Sequence, residues 1–249
     1  MSEVSSIRLE NLKKSFHQRE VIQNLNLEIQ QGSFVSLVGP SGCGKSTVLR
    51  LIAGLESPTG GLVELDEESA GHFGFVFQDA NLLPWKTVYE NVALPFELSP
   101  ALKEISQDEI KDRVLKILTQ VKLQDSQHLF PHQLSGGMKM RVSLARALAP
   151  KPRLLLMDEP FAALDEITRY EMQIQLRDLW QQEKLTVIFV THSLLEATFL
   201  SERVVLLKGP GGRVTLDRKL DLPIKRDDSL RTSESFNKII QEISAGLKA

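Results

Sequence analysis

Gly39-Pro40-Ser41-Gly42-Cys43-Gly44-Lys45-Ser46-Thr47 carries the spacing G-x-x-x-x-G-K-[ST], which is that of a phosphate-cradling loop. Glycines at 39, 42 and 44 open backbone conformations closed to other residues, so successive N–H groups can turn inward on phosphate oxygens. Lys45 would place a point charge near the β and γ phosphates, and the Ser46 hydroxyl can ligate Mg2+. The apolar run Phe34–Val38 ahead of it reads as a strand covered on both faces. The residues from Lys45 to Ala53 suit a helix whose positive N-terminal end adds to the cradle, with Gly54 placed to end it. A glycine-rich turn matching by chance is the alternative, but a strand before and a helix after are the context the chemistry requires. Cys43, among these donors, reads as a small spacer, although an electropositive helix start can also lower a thiol's pKa.

A second group is acidic. Leu154–Met157 is an apolar strand ending in Asp158-Glu159, and two acids there are costly unless they meet a cation or donors. Beside a phosphate loop, Asp158 can complete a magnesium shell, and Glu159 can orient and polarise an attacking water. Capping the next helix is the blander role for the same pair. Gln78 closes another strand, Gly74–Phe77, where a neutral amide can touch both metal and water. His192 follows the strand Thr186–Val190 and can donate to a γ-phosphate; alone it would be structural. Leu134-Ser135-Gly136-Gly137-Met138 opens a helix with a hydroxyl and free N–H groups, either as a plain cap or as an anion site.

The elements that must position these residues follow an α/β pattern. Leu25, Leu27 and Ile29 alternate with polar residues as in a half-buried antiparallel strand. From about Asn81 to Ala149 the apolar spacing turns helical, with Ile110, Val114, Ile117, Leu118 and Val121 on one stripe and Ser106/Glu109 as a capping box. Strands return at Leu154–Met157, Thr186–Val190 and Arg203–Leu207, so a helical piece is inserted between strands of one core. A hairpin around Gly211-Gly212 and a helix with Phe236, Ile239, Ile240 and Ile243 on one face complete the chain. That face is expected to pack on its own core rather than dock a partner.

The bulk properties permit a full α/β core: 249 residues, 42% hydrophobic and 25% charged. A formal charge of −2 carries no broad field toward nucleic acid or an anionic membrane, so no nucleic-acid partner is expected. The single cysteine excludes an internal disulfide and fits a reducing compartment. No apolar run approaches a bilayer-crossing length, and Met1–Ile7 has neither a basic start nor a hydrophobic stretch. A cytosolic chain without a secretory signal is the expectation.

Together these residues resemble the ATP-binding-cassette (ABC) ATPases, from about Ile7 to Leu207. The resemblance implies an α/β fold, a P-loop NTPase (RecA-like) core with an antiparallel β subdomain and an inserted α-helical subdomain. The chain would be one domain, residues 1–249, with the nucleotide-binding core at 1–80 and 150–210. The helical subdomain would cover 81–149, and a C-terminal hairpin and helix 211–249. It further implies a head-to-tail homodimer in which Ser135, Gly136 and Gly137 of one chain close over ATP held by the other's loop. Gln78 would be the Q-loop, Asp165 in Ala163-Leu164-Asp165 the D-loop and His192 the switch histidine. Phe16 would stack on adenine where the family usually has tyrosine.

Within that family, Phe77–Trp85 and Asp158–Arg169 look most like importers of nitrate, sulfonates, taurine and related solutes. Two features depart: the segment between Gly61 and Phe75 looks short, and Met140 stands where glutamine is expected. The resemblance implies an ATPase subunit using ATP and Mg2+, peripheral at the cytoplasmic face of the inner membrane. Two integral membrane permease subunits and a solute-binding protein would complete it, with Leu82–Trp85 receiving the permease. A non-transport ATPase or scaffold, an exporter subunit and a thiamine-precursor importer remain alternatives. The chain shows neither the second cassette nor the long coiled coil common in the scaffolds.

Overall fold

Burial along each strand sorts the β structure into two sheets. A computed structural model describes residues 5–67 and 69–248; the first residues of the Met1–Ile7 reading lie outside it. β1 (Ser5–Phe16), β2 (Arg19–Gln30) and β4 (Gly60–Leu65) form an antiparallel sheet in the order β2-β1-β4. Leu25, Leu27 and Ile29 point into the core along β2, as their alternation predicts. The larger sheet is built from continuous apolar runs. It holds β3 (Phe34–Val38), β5 (Phe73–Val76), β6 (Leu154–Asp158), β7 (Thr186–Thr191), β8 (Arg203–Lys208) and β9 (Arg213–Lys219). Their order is β5-β6-β7-β3-β8-β9, with every pairing parallel except β8–β9. All five residues of β3 and all six of β7 are buried, the signature of a sheet covered on both faces. The strand expected at Gly74–Phe77 starts one residue earlier, and the hairpin after β8 is present.

Phe73 of β5 pairs with Leu154 of β6, although α2 (Val88–Leu98), α3 (Gln107–Gln120) and α4 (Gly136–Leu148) lie between them in sequence. The helices are thus an insertion between neighbouring strands. Ile110, Val114, Ile117 and Leu118 of α3 are buried as one stripe. Its cap differs from expectation: Ser106 Oγ accepts from Glu109 N at 3.2 Å, but the Glu109 carboxylate turns to Arg113, one helical turn on, at 2.6 Å. An opposite charge outcompetes the neutral backbone N–H for it. The reciprocal box forms instead at Thr87/Glu90, at the start of α2.

Helices α1 (Lys45–Ile52), α5 (Glu166–Glu183), α6 (Leu194–Leu200) and α7 (Glu234–Lys248) complete the fold. On α7, Phe236, Ile239 and Ile243 are buried against the chain's own core, each stabilising by at most roughly 2–3 kcal/mol. Arg226 fastens the segment leading into it. Its guanidinium donates to the carbonyls of Thr198, Phe199 and Ser201 at the end of α6, and burial pushes its pKa down to about 9.

Candidate active site

β5, β6, β7 and β3 are neighbours, all parallel, so the loops that leave their C-terminal ends meet at one edge. Those loops carry Gln78, Asp158-Glu159, His192 and the Gly39–Gly44 turn respectively. A single physical fact, parallel pairing, gathers residues up to 153 positions apart in sequence (39 to 192).

The glycine loop is locked by its neighbours. A Cβ on Gly39 would sit 2.1 Å from the Leu207 carbonyl oxygen, so the chain leaves β3 pressed on the backbone of β8. Gly44 precedes α1 at φ 104 without a side-chain cap, leaving that helix's first N–H groups to a ligand. Lys45 is 5% exposed, and its ammonium donates to the carbonyls of Gly39 at 2.8 Å and Pro40 at 3.0 Å. Cys43 is buried, and burial pushes its thiol up against the opposing pull of Lys45. That is the chemistry of an inert spacer.

Ser46 Oγ donates to Asp158 Oδ1 at 2.8 Å. Burial pushes the Asp158 carboxyl above its ordinary range; the Ser46 hydrogen bond opposes this, and the charge of Glu159 adds to it. A hydroxyl and an under-solvated carboxylate side by side fit a hard, oxygen-seeking cation. Glu159 sits at φ 47, with its N–H on the Val190 carbonyl at 2.9 Å. This left-handed step turns its side chain to His192, where Oε2 lies 2.9 Å from Nδ1. Glu159 also joins Ser41, Gly42, Gly44, Lys45, Ser46 and Thr47 around a cleft of about 360 Å³.

Arg19 lines that cleft too, a residue the motifs do not announce. It pairs with Phe16 across the turn at His17-Gln18, and a Cβ on Gly42 would lie 3.9 Å from its Nη2. Only the β1–β2 hairpin brings it there. Phe16 is 38% exposed, with the Lys14 ammonium 4.6 Å from its ring centroid, and does not itself line the cleft. Gln78 is exposed at the same sheet edge, also outside the cleft lining.

Ser135, Gly136 and Gly137 are gathered with Asp165 instead. Ser135 Oγ caps α4 by accepting from Met138 N at 3.2 Å. A Cβ on Gly137 would lie 2.4 Å from Thr168 Cγ2, and Thr168 donates to the Asp165 carboxylate through its N–H and its hydroxyl. Those two bonds hold the Asp165 carboxyl below its usual range. Farther along α4, Met140 is buried among apolar residues, which suits the sulfur side chain where glutamine was expected. Arg146 clamps the segment after Gln78, donating to Ala80 O and Asn81 O at 2.8 Å each. The next stretch is pinned by buried Asn91, bonded to Leu83, Lys86 and Thr87, and it presents Trp85 at 70% exposure.

Residues 22–162 match the family model described as ABC transporter. An uncharacterized ABC transporter ATP-binding protein of Methanocaldococcus jannaschii is 45% identical, covering 92% of this chain and 86% of that one. The aliphatic sulfonates import ATP-binding protein of Zymomonas mobilis is 44% identical over 89% of each chain. Among solved structures, a dimeric ATP-binding cassette in a post-hydrolysis state bound to ADP and Pi superimposes with a TM-score of 0.75. It is 36% identical, and the match covers 87% of this chain and 100% of that one.

Proposed function

Because the chain belongs to the ABC transporter family, an ATPase by fold and motif, we propose that it drives an importer of small organic anions, aliphatic sulfonates foremost. The observation that carries this is the pairing at one sheet edge of Ser46 with Asp158 and of Glu159 with His192, around the phosphate-loop cleft. The cargo class rests on the named function of the Zymomonas relative and its fellows.

The roles follow from the geometry. The loop from Gly39 to Gly44, with Pro40, Ser41, Gly42 and Cys43 between, presents backbone N–H groups to the phosphates, and Lys45 neutralises the terminal ones. Ser46, Asp158 and Gln78 would hold Mg2+, which would stabilise the negative charge of the phosphates. Glu159 orients the water that attacks the γ-phosphorus, with ADP leaving in line, and His192 fixes that carboxylate and donates to the transferred group. Arg19 joins Thr47 at the phosphate end of the cleft, and Phe16 offers a ring to the adenine. Positioning and electrostatics lower the barrier, without a covalent intermediate.

Ser135, Gly136 and Gly137 complete the site of a second copy in a head-to-tail homodimer, with Asp165 beside them. The core at 1–80 and 150–210 binds nucleotide, 81–149 acts as the helical subdomain, and 211–249 is the tail. Two membrane permease subunits dock on the pinned Leu82–Trp85 segment, with a solute-binding protein outside, so the chain sits peripherally on the inner membrane's cytoplasmic face. Among the described residues no helix is long and apolar enough to cross a membrane.

The test is Glu159→Gln. ATP affinity should stay within a few-fold while kcat falls about 10²–10⁴-fold, and ATP should drive the variant into a dimer on size-exclusion. Wild-type turnover by this variant would remove Glu159, and the mechanism with it.

A further inference from the structure

Behind the Glu159–His192 pair stands a third carboxylate. Glu196, on α6, is 7% exposed. Its Oε2 accepts from Thr191 Oγ1 at 2.6 Å, and the same oxygen of Thr191 accepts from Ser193 N at 3.0 Å. Ser193 Oγ in turn accepts from Glu196 N at 3.3 Å. Both neighbours of His192 are therefore tied to Glu196, while the His192 side chain itself is 61% exposed and gets little hold from packing. On the far side lies Arg169 of α5, whose Nη2 donates to the Leu164 carbonyl at 2.8 Å. Its Nε stands 3.6 Å from Glu196 Oε1, too far for a hydrogen bond, and is buried with no hydrogen-bond partner among the described residues.

These groups enclose a space of about 40 Å³ lined by Glu159, Ala162, Arg169, Thr191, His192, Ser193 and Glu196. That is room for at least one water, and the walls offer an N–H donor and carboxylate acceptors within one cavity. The Arg169 guanidinium and both carboxylates line this space, and polar groups left there without a partner cost about 1–3 kcal/mol each. Water is the partner of the right size.

We propose that Arg169 and Glu196 are positioning residues for ATP hydrolysis, holding the Glu159–His192 pair through a water in the cavity they share. This rests on the assignment of Glu159 and His192 made above. Reaction rates respond steeply to such supports, since a displacement of about 1 Å at the reacting groups can cost about 10²-fold. The Arg169 tether to Leu164 also ties this group to the chain just ahead of Asp165, at the start of α5.

The test compares Glu196→Gln, Arg169→Gln, their double variant and Arg169→Lys in the full chain, with Glu159→Gln as reference. Each glutamine variant should lower kcat about tenfold while KM for ATP stays within about twofold and the melting temperature holds. The double variant should lose no more than the worse single, because both act on one water. Arg169→Lys should recover part of the rate. A crystal structure should show a water in this cavity about 3 Å from the Arg169 guanidinium. Multiplying losses, rates that fall in step with melting temperature, unchanged kcat or a dry cavity would each overturn the inference. Glu159→Gln separates the two failures: if it stops turnover while Glu196→Gln leaves it intact, only the positioning role falls.

Discussion

Two glycine-rich helix starts, α1 and α4, offer the same backbone chemistry and have opposite surroundings. At α1 the chain converges on its own N–H groups: Lys45 is buried over two loop carbonyls, Gly39 is jammed against Leu207, and Ser46, which is bonded to Asp158, lines the cleft with Glu159. At α4, Ser135 serves only as a cap, and a Cβ on Gly136 would meet nothing within 4 Å among the described residues. A helix N-terminus is therefore not a site in itself; what converges on it makes it one. The first start gathers its converging groups within one chain. The second gathers few, and in the proposed dimer it would complete the α1 site of another copy.

Substituting the glycines would sharpen that contrast. The largest effect is expected from Gly39→Ala, because the new methyl meets backbone oxygen, which cannot rotate away. Urea unfolding should show a loss of about 3 kcal/mol, the upper end for overpacking, and an unchanged midpoint would mean that the sheet does not lock the loop. Gly137→Ala meets the Thr168 methyl at 2.4 Å, a side chain that can turn at the expense of its hydroxyl bond to Asp165, so a loss of about 1–2 kcal/mol is expected. Gly136→Ala has open space and better helix propensity, so its stability should be level or up to about 1 kcal/mol higher. Its ATPase should nevertheless fall in proportion to how closely a partner's phosphate approaches. Normal turnover would break the half-site interpretation while leaving the fold untouched.

The sequence made the near site legible because chemistry there is written in contiguous strings. Gly39–Ser46 and Asp158-Glu159 each follow an apolar run, and parallel strands then have to bring their ends together. The helical insertion was legible from the stripe on α3, whose period is local. Contacts set by tertiary approach were not. Arg19 reaches the cleft only because a hairpin folds it beside Gly42, and Glu109 abandons its expected cap because Arg113 lies one turn away. Arg169 and Glu196 show the same limit: they are 27 positions apart (169 to 196), on different helices, and neither belongs to a phosphate motif. Met140, which stands where glutamine is expected, is a core side chain in space.

The smallest expected effect separates the two helix starts by sign. Asp158 has a carboxyl pKa raised chiefly by burial, so the folded chain binds that proton more tightly than the unfolded one. The associated stabilisation is full below the ordinary carboxylate range and is lost as pH rises through the raised value. Above that raised value the nucleotide-free chain carries an under-solvated charge. Asp158→Asn removes the charge and can still accept from Ser46, so the nucleotide-free melting temperature should rise at pH 7. Partial solvent screening limits the gain to about 1 kcal/mol or less, ~2–4 °C for a chain of this size. The gain should shrink as pH falls, and the extra stabilisation that Mg2+ adds to bound ATP should largely vanish. Ser135→Ala, by contrast, should cost about 1 kcal/mol at any pH, because that hydroxyl caps its own helix. A lower melting temperature for Asp158→Asn would mean that its bond with Ser46 outweighs its burial, which would make the carboxylate a structural element and leave the cation site without its strongest support.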